Sequence, residues 1–95
     1  MQSGLEPIRP GEFLAEILTE LGVSQAAFAR TIGVLPMRVS HVVNGSRPVT
    51  ADLALRFAKA FSQTPQYWLN LQTAYDLAIA SKAIGNELKN IKAVA

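Results

Sequence analysis

Apolar residues recur along most of the chain at helical rather than strand spacing. Phe13, Leu14, Ile17, Leu18 and Leu21 form one stripe and Glu12, Glu16 and Glu20 another, predicting a helix over 10–21 that stops at Gly22. Ser24 is a favourable N-cap, and Ala26, Ala29 and Ile32 follow beside Phe28, predicting a second helix over 24–32 with Gly33 at its C-terminal end. Pro36 suits the first turn of a third, over 36–44, whose apolar side is Val39, Val42 and Val43. Thr50 caps a fourth over 50–61, with Asp52 in its first turn and Ala54, Phe57, Ala58 and Phe61 inward. Thr64-Pro65 opens a fifth over 65–80, presenting Trp68, Leu71, Gln72, Tyr75, Ala78 and Ile79 down one side. Residues 1–9 lack periodicity and read as an extended lead-in. No stretch has the alternation or length of a strand, so the fold class is all-α.

The second and third helices, joined through Gly33, make a helix-turn-helix. Opposite its valines, the third helix shows Met37, Arg38, Ser40, His41 and Asn44, with Arg47 just beyond. No acidic residue falls between Leu21 and Ala51, whereas Arg30, Arg38 and Arg47 all do. In such a motif the second helix enters the major groove, where phosphates repel carboxylates and attract guanidinium groups. The pattern is that of a surface facing double-stranded DNA. Asn44-Gly45 resembles a hairpin turn but, after a helical stripe, reads as a helix end.

Composition narrows the classes. At 95 residues, 49% of them hydrophobic, the chain is one domain with ample core and is not disordered. The formal charge of +2 says little by itself; its asymmetry says more, since Glu6, Glu12, Glu16 and Glu20 precede Gly22. With one histidine and no cysteine there is no nucleophile–base pair, thiolate metal site or phosphate-cradling glycine loop, so neither an enzyme nor a cofactor is expected. Nothing reads as a membrane span or leader, and a cytoplasmic protein without a membrane partner is expected.

The segments RPGEFLAEIL at 9–18, GVSQAAFARTIGV at 22–34, RVSHVVNGSRPVTADLALRFAKAF at 38–61 and TPQYWLNLQTAYDLAIA at 64–80 together resemble the Cro/C1-type (XRE) helix-turn-helix family. The fifth-helix pattern is similar to that of its HigA-type antitoxins, and the resemblance covers roughly 8–80. It implies a five-helix lambda-repressor-like DNA-binding domain over 10–80. It also implies a repressor of its own operon that binds and silences an mRNA-cleaving toxin. Two departures from the family pattern stand out. Leu35 separates the Gly33-Val34 pair from Pro36, and Met37 is apolar where relatives are often polar.

The expected DNA-binding set is Ser24, Gln25, Pro36, Met37, Arg38, Ser40, His41, Asn44 and Arg47. The family's matching glutamine lies near a phosphate, which favours backbone contact for Gln25 over an ordinary solvated role. Arg38, in the first turn of the recognition helix, is placed for bidentate recognition of guanine rather than as a plain surface arginine. For Ser40 and His41, base or phosphate contact and an inert exposed position stand open equally. Pro36 and Met37 meet a thymine methyl or pack on sugar, and Arg47 meets phosphate from the linker. Trp68 and Tyr75 are read as core. The acidic stripe of the first helix is either solvated or part of a toxin-binding surface.

Paired half-sites call for a homodimer. In the tail, 81–95, Ile84, Leu88 and Ile91 make an apolar stripe suited to a dimer contact, against the alternative of a terminus frayed at Gly85-Asn86. Two other functions remain open: a protein-interaction module on the same fold, and a stand-alone regulator of this family without a toxin.

Overall fold

The structure, a computed structural model, describes residues 7–95. It holds five helices: α1 (Pro10–Leu21), α2 (Gln25–Ile32), α3 (Pro36–Val43), α4 (Ala51–Phe61) and α5 (Pro65–Leu88). Among the described residues there is no strand. The first four lie within a residue or so of the bounds their local signals predict. Ser24 Oγ accepts from the Ala27 N–H at 3.0 Å and Thr50 Oγ1 from the Leu53 N–H at 3.2 Å, each satisfying a donor that a helix start leaves unpaired. Gly22 and Gly33 close α1 and α2 at φ 68° and 75°, a left-handed conformation that costs glycine little. Thr64 precedes α5 without a side-chain capping bond.

The core is drawn from every helix: Leu14 and Leu18 of α1, Phe28, Ala29 and Ile32 of α2, Val39 and Val42 of α3, Leu53, Ala54 and Phe57 of α4, and Trp68 of α5, with Val49 from the linker. Aromatic rings form its centre. Phe28 stacks on Phe61 with centroids 5.0 Å apart, and Phe57 meets Trp68 edge-on at 5.1 Å. The Trp68 indole N–H would be costly to bury unpaired, and it donates to Gln63 Oε1 at 2.7 Å.

The helical stripes overreach at their ends. Leu21 is 59% exposed and Ala26 is also exposed, because α1 and α2 turn away from the core there. Phe61 is only partly buried, at the rim of the aromatic cluster. Along α5, Trp68 is buried and Leu69, Leu71, Gln72 and Tyr75 are half-buried, but Ala78 and Ile79 are exposed. The helix has passed the end of the bundle by that point. Instead of stopping near residue 80, α5 runs on through Gly85 and Asn86 to Leu88, 24 residues in all. A glycine costs a helix only about 1 kcal/mol, too little to end one with helix formers such as Ala83, Glu87 and Leu88 around it. The molecule is correspondingly long, 49 × 28 × 22 Å.

Two contacts fix α3 against the rest. Gly11, in the first turn of α1, lies directly on the Val42 carbonyl, with no room for a Cβ. Beside it Arg9 Nη2 donates to the Val43 carbonyl at 3.3 Å, placing a cation where the carbonyls of α3 end. Neither contact is signalled by helical periodicity.

Candidate nucleic-acid interface

α2 and α3 are set at their angle by buried side chains on one side of each, Phe28, Ala29 and Ile32 against Val39 and Val42. That packing leaves the opposite side of α3 outward. Leu35 and Met37, just before and inside its first turn, are 71% and 62% exposed, two apolar side chains close together on the outward side. Pro36 is exposed between them, and Arg38 follows with its side chain 44% exposed. Ser40 and His41 are half-buried, less open than the sequence pattern predicts, and the chain leaving α3 folds back against His41. The Arg47 N–H donates to the His41 carbonyl at 3.2 Å, and Ser46 Oγ lies 3.4 Å from the same oxygen.

That return path also occupies Asn44. Its Oδ1 accepts from the Ser46 N–H at 2.9 Å and from the Ser46 hydroxyl at 2.8 Å, a local turn of the kind asparagine makes readily. Asn44 thus shapes the loop, and its acceptor oxygen is already engaged. Gly45 completes the turn at φ 84°.

Arg38, His41 and Arg47 come together with Pro48, Thr50 and Leu53 around an open cleft of about 260 Å³ between α3 and the start of α4. Ser24 and Gln25 do not line it. They lie at the exposed N-terminus of α2, where the Ser24 hydroxyl is taken up by capping. The nine expected residues therefore form one cluster on α3 and its exit loop, and a separate pair at the start of α2.

The acid-free window ends at Asp52, and that residue faces Arg38, which lines the cleft. Arg56, one turn on, donates through Nε to Asp52 Oδ1 at 2.7 Å; Arg38 Nη2 lies 3.6 Å from the same oxygen. The Arg56 hydrogen bond holds the Asp52 carboxyl below its ordinary value against a desolvation that would raise it, and the charges of Arg56 and Arg38 act in the same direction. Arg56 also donates through Nη1 to the Ile32 carbonyl at 2.7 Å, in the last turn of α2. The spacing of Asp52 and Arg56 is a visible sign of a helical ion pair; the reach across to Arg38 is not visible in sequence. Among the described residues no group of His, Asp and Glu side chains could hold a metal ion. No helix among them is long and apolar enough to cross a membrane.

A model of the helix-turn-helix family matches residues 14–68. The antitoxin HigA-1 of Vibrio cholerae is 37% identical over 87 residues, covering 90% of this chain and 82% of that one. The chain belongs to the Cro/C1-type helix-turn-helix family, among its HigA-type antitoxins. Solved structures agree over almost the whole length. An addiction module antidote protein of the HigA family from Coxiella burnetii superposes with a TM-score of 0.91 at 42% identity, covering 96% of this chain and all of that one. The Pseudomonas aeruginosa antitoxin HigA, solved with the higBA promoter, gives 0.89 at 38% identity, covering 94% and 99%. Both likenesses span α5 as well as the helix-turn-helix.

Proposed function

We propose that this HigA-family protein is a sequence-specific DNA-binding autorepressor and the antitoxin of a toxin–antitoxin pair. The observation that carries the DNA-binding part is α3. Its buried valines lock it to the bundle while Met37, Arg38 and the neighbouring Arg47 stand outward on a surface from which acids are excluded up to Asp52. The likeness to an antitoxin solved with promoter DNA supports the same reading.

In this reading Arg38 reads a guanine edge and Met37, with Leu35 beside it, meets thymine methyl groups. Arg47 and Gln25 hold phosphates, Ser24 and Pro36 set the helix starts, and Ser40, His41 and Asn44 line or shape the contact. The DNA-binding unit is 10–80, and 81–95 adds to a homodimer contact. The support for the dimer is the far half of α5, where Leu77, Ile79, Ile84 and Leu88 are all substantially exposed. Toxin neutralisation rests on the antitoxin relatives, and a cytoplasmic location follows from work on chromosomal or plasmid DNA.

A gel-shift with the purified protein on its own promoter and on a random duplex tests the first part. Selective retardation is expected, and equal affinity for both duplexes refutes it. Co-purification with the product of an adjacent small reading frame tests the second, and failure of the two to associate refutes the antitoxin role alone.

A further inference from the structure

We propose that Asp52 is a positioning residue for base readout, holding the Arg38 guanidinium ready for the DNA; this rests on the DNA-binding reading above. Three elements of the interface meet at this carboxylate. Arg56 is anchored on the last turn of α2 through the Ile32 carbonyl at 2.7 Å, with the Gly33 carbonyl 3.5 Å from the same nitrogen. It then holds Asp52 at 2.7 Å, and Asp52 faces Arg38 of α3 at 3.6 Å. The end of α2, the start of α4 and the first turn of α3 are thereby joined by one polar chain across the helix-turn-helix.

The chemistry favours a positioning role over a stabilising one. A carboxylate on a DNA-facing surface works against binding in general, because it repels phosphate. Asp52 is the first acid after the window that began at Leu21. Its benefit therefore lies in discrimination. An exposed arginine has many rotamers, and fixing one on binding costs entropy that a prior tether removes. A surface ion pair is weak beside a bidentate bond to guanine, so DNA can take over the guanidinium. The contact engages Nη2, and a guanidinium has five N–H donors, so others remain for a base edge.

The test measures affinity for the operator and for a random duplex of equal length at one salt concentration. Asp52→Asn removes the charge and keeps the shape. Random-duplex binding is expected to hold or tighten while operator binding weakens, so the operator-to-random ratio falls about tenfold. Asp52→Glu, which keeps a carboxylate, is expected to retain most of the ratio. In an Arg38→Ala background, Asp52→Asn is expected to leave the ratio unchanged, since the residue it acts through is gone. Arg56→Gln, which keeps both Asp52 and Arg38, lowers the ratio in the same direction and supplies the answer if Asp52→Asn fails to fold. An Asp52→Asn ratio equal to that of the unaltered protein overturns the proposal, as does a fall that persists without Arg38. An unaltered protein that does not discriminate overturns the DNA-binding reading itself, which sets that failure apart.

Discussion

Gly11 of α1 rests on the carbonyl of Val42 in α3, backbone against backbone, at a distance that excludes a Cβ. The contact sets how closely the recognition helix is drawn to the bundle. Gly11→Ala is therefore expected to cost about 1–3 kcal/mol, the usual penalty for forcing a methyl into a filled space. It is also expected to weaken operator binding, since α3 must shift to admit the methyl. Urea titration followed by circular dichroism checks the first. A variant as stable as the unaltered protein contradicts it, because alanine is otherwise the better helix former.

Trp68→Ala is expected to remove about 3–5 kcal/mol, because the indole is fully buried among Phe57, Phe61 and Tyr67. Trp68→Phe keeps the ring packing but strands Gln63 Oε1 without its donor, and is expected to lie between the two. Thermal melts of the three proteins order them.

Arg38 and Arg47 are expected to fail in different ways. Arg38→Ala should cost about 1–3 kcal/mol on the operator and relax preference at one base pair. Arg47→Ala should weaken binding to all duplexes alike and lower the salt slope by about one unit. Identical behaviour of the two on operator and random DNA contradicts the division of roles.

The Asp52 carboxyl titrates below its ordinary value of 3.8, chiefly because Arg56 donates to it, with Arg38 of α3 facing it as well. A lowered carboxylate contributes stability above its unfolded pKa, and that contribution disappears as pH falls through the folded value. The melting-temperature difference between the unaltered protein and Asp52→Asn is therefore expected to be constant from neutral pH to about 5, and to shrink below about 4. A difference that grows on acidification has the wrong sign for this arrangement.

Assembly is tested by sedimentation of the full chain and of a version ending at Ala80. The full chain is expected to be a dimer with recognition helices about 34 Å apart, one turn of B-DNA. The shorter chain keeps the core intact but loses Ile84 and Leu88, and is expected to dissociate. A monomeric full chain on operator DNA rules out the dimer; an unchanged dimer after truncation rules out only the tail's part.

The first four helices were legible because each is punctuated by residues with a local mechanism: Ser24 and Thr50 as caps, Gly22 and Gly33 as left-handed stops, Pro36 at a helix start. The end of α5 was not, because Gly85-Asn86 carries the marks of a break while the cost of continuing is small. Stripes also give direction without depth, so Leu21 continues a pattern whose partner surface has already ended. The outward side of α3 was read correctly in Arg38 and Met37, yet Asn44 turned out to bond Ser46 within its own loop. The inter-helix contacts of Asp52 and Gly11 are not legible in the sequence, for a common reason. Each matters through a contact with a different helix, and periodicity within one helix carries no record of it.

The Val49 N–H, in the linker that leaves α3, donates to Gln72 Oε1 of α5 at 2.7 Å. The exit from the recognition helix is therefore hung from the same helix that carries the exposed apolar positions toward Leu88. That bond is the path by which a displacement of α5 would reach the linker. If a partner seated on α5 changes operator affinity by some factor, linkage requires that the operator change the partner's affinity by the same factor.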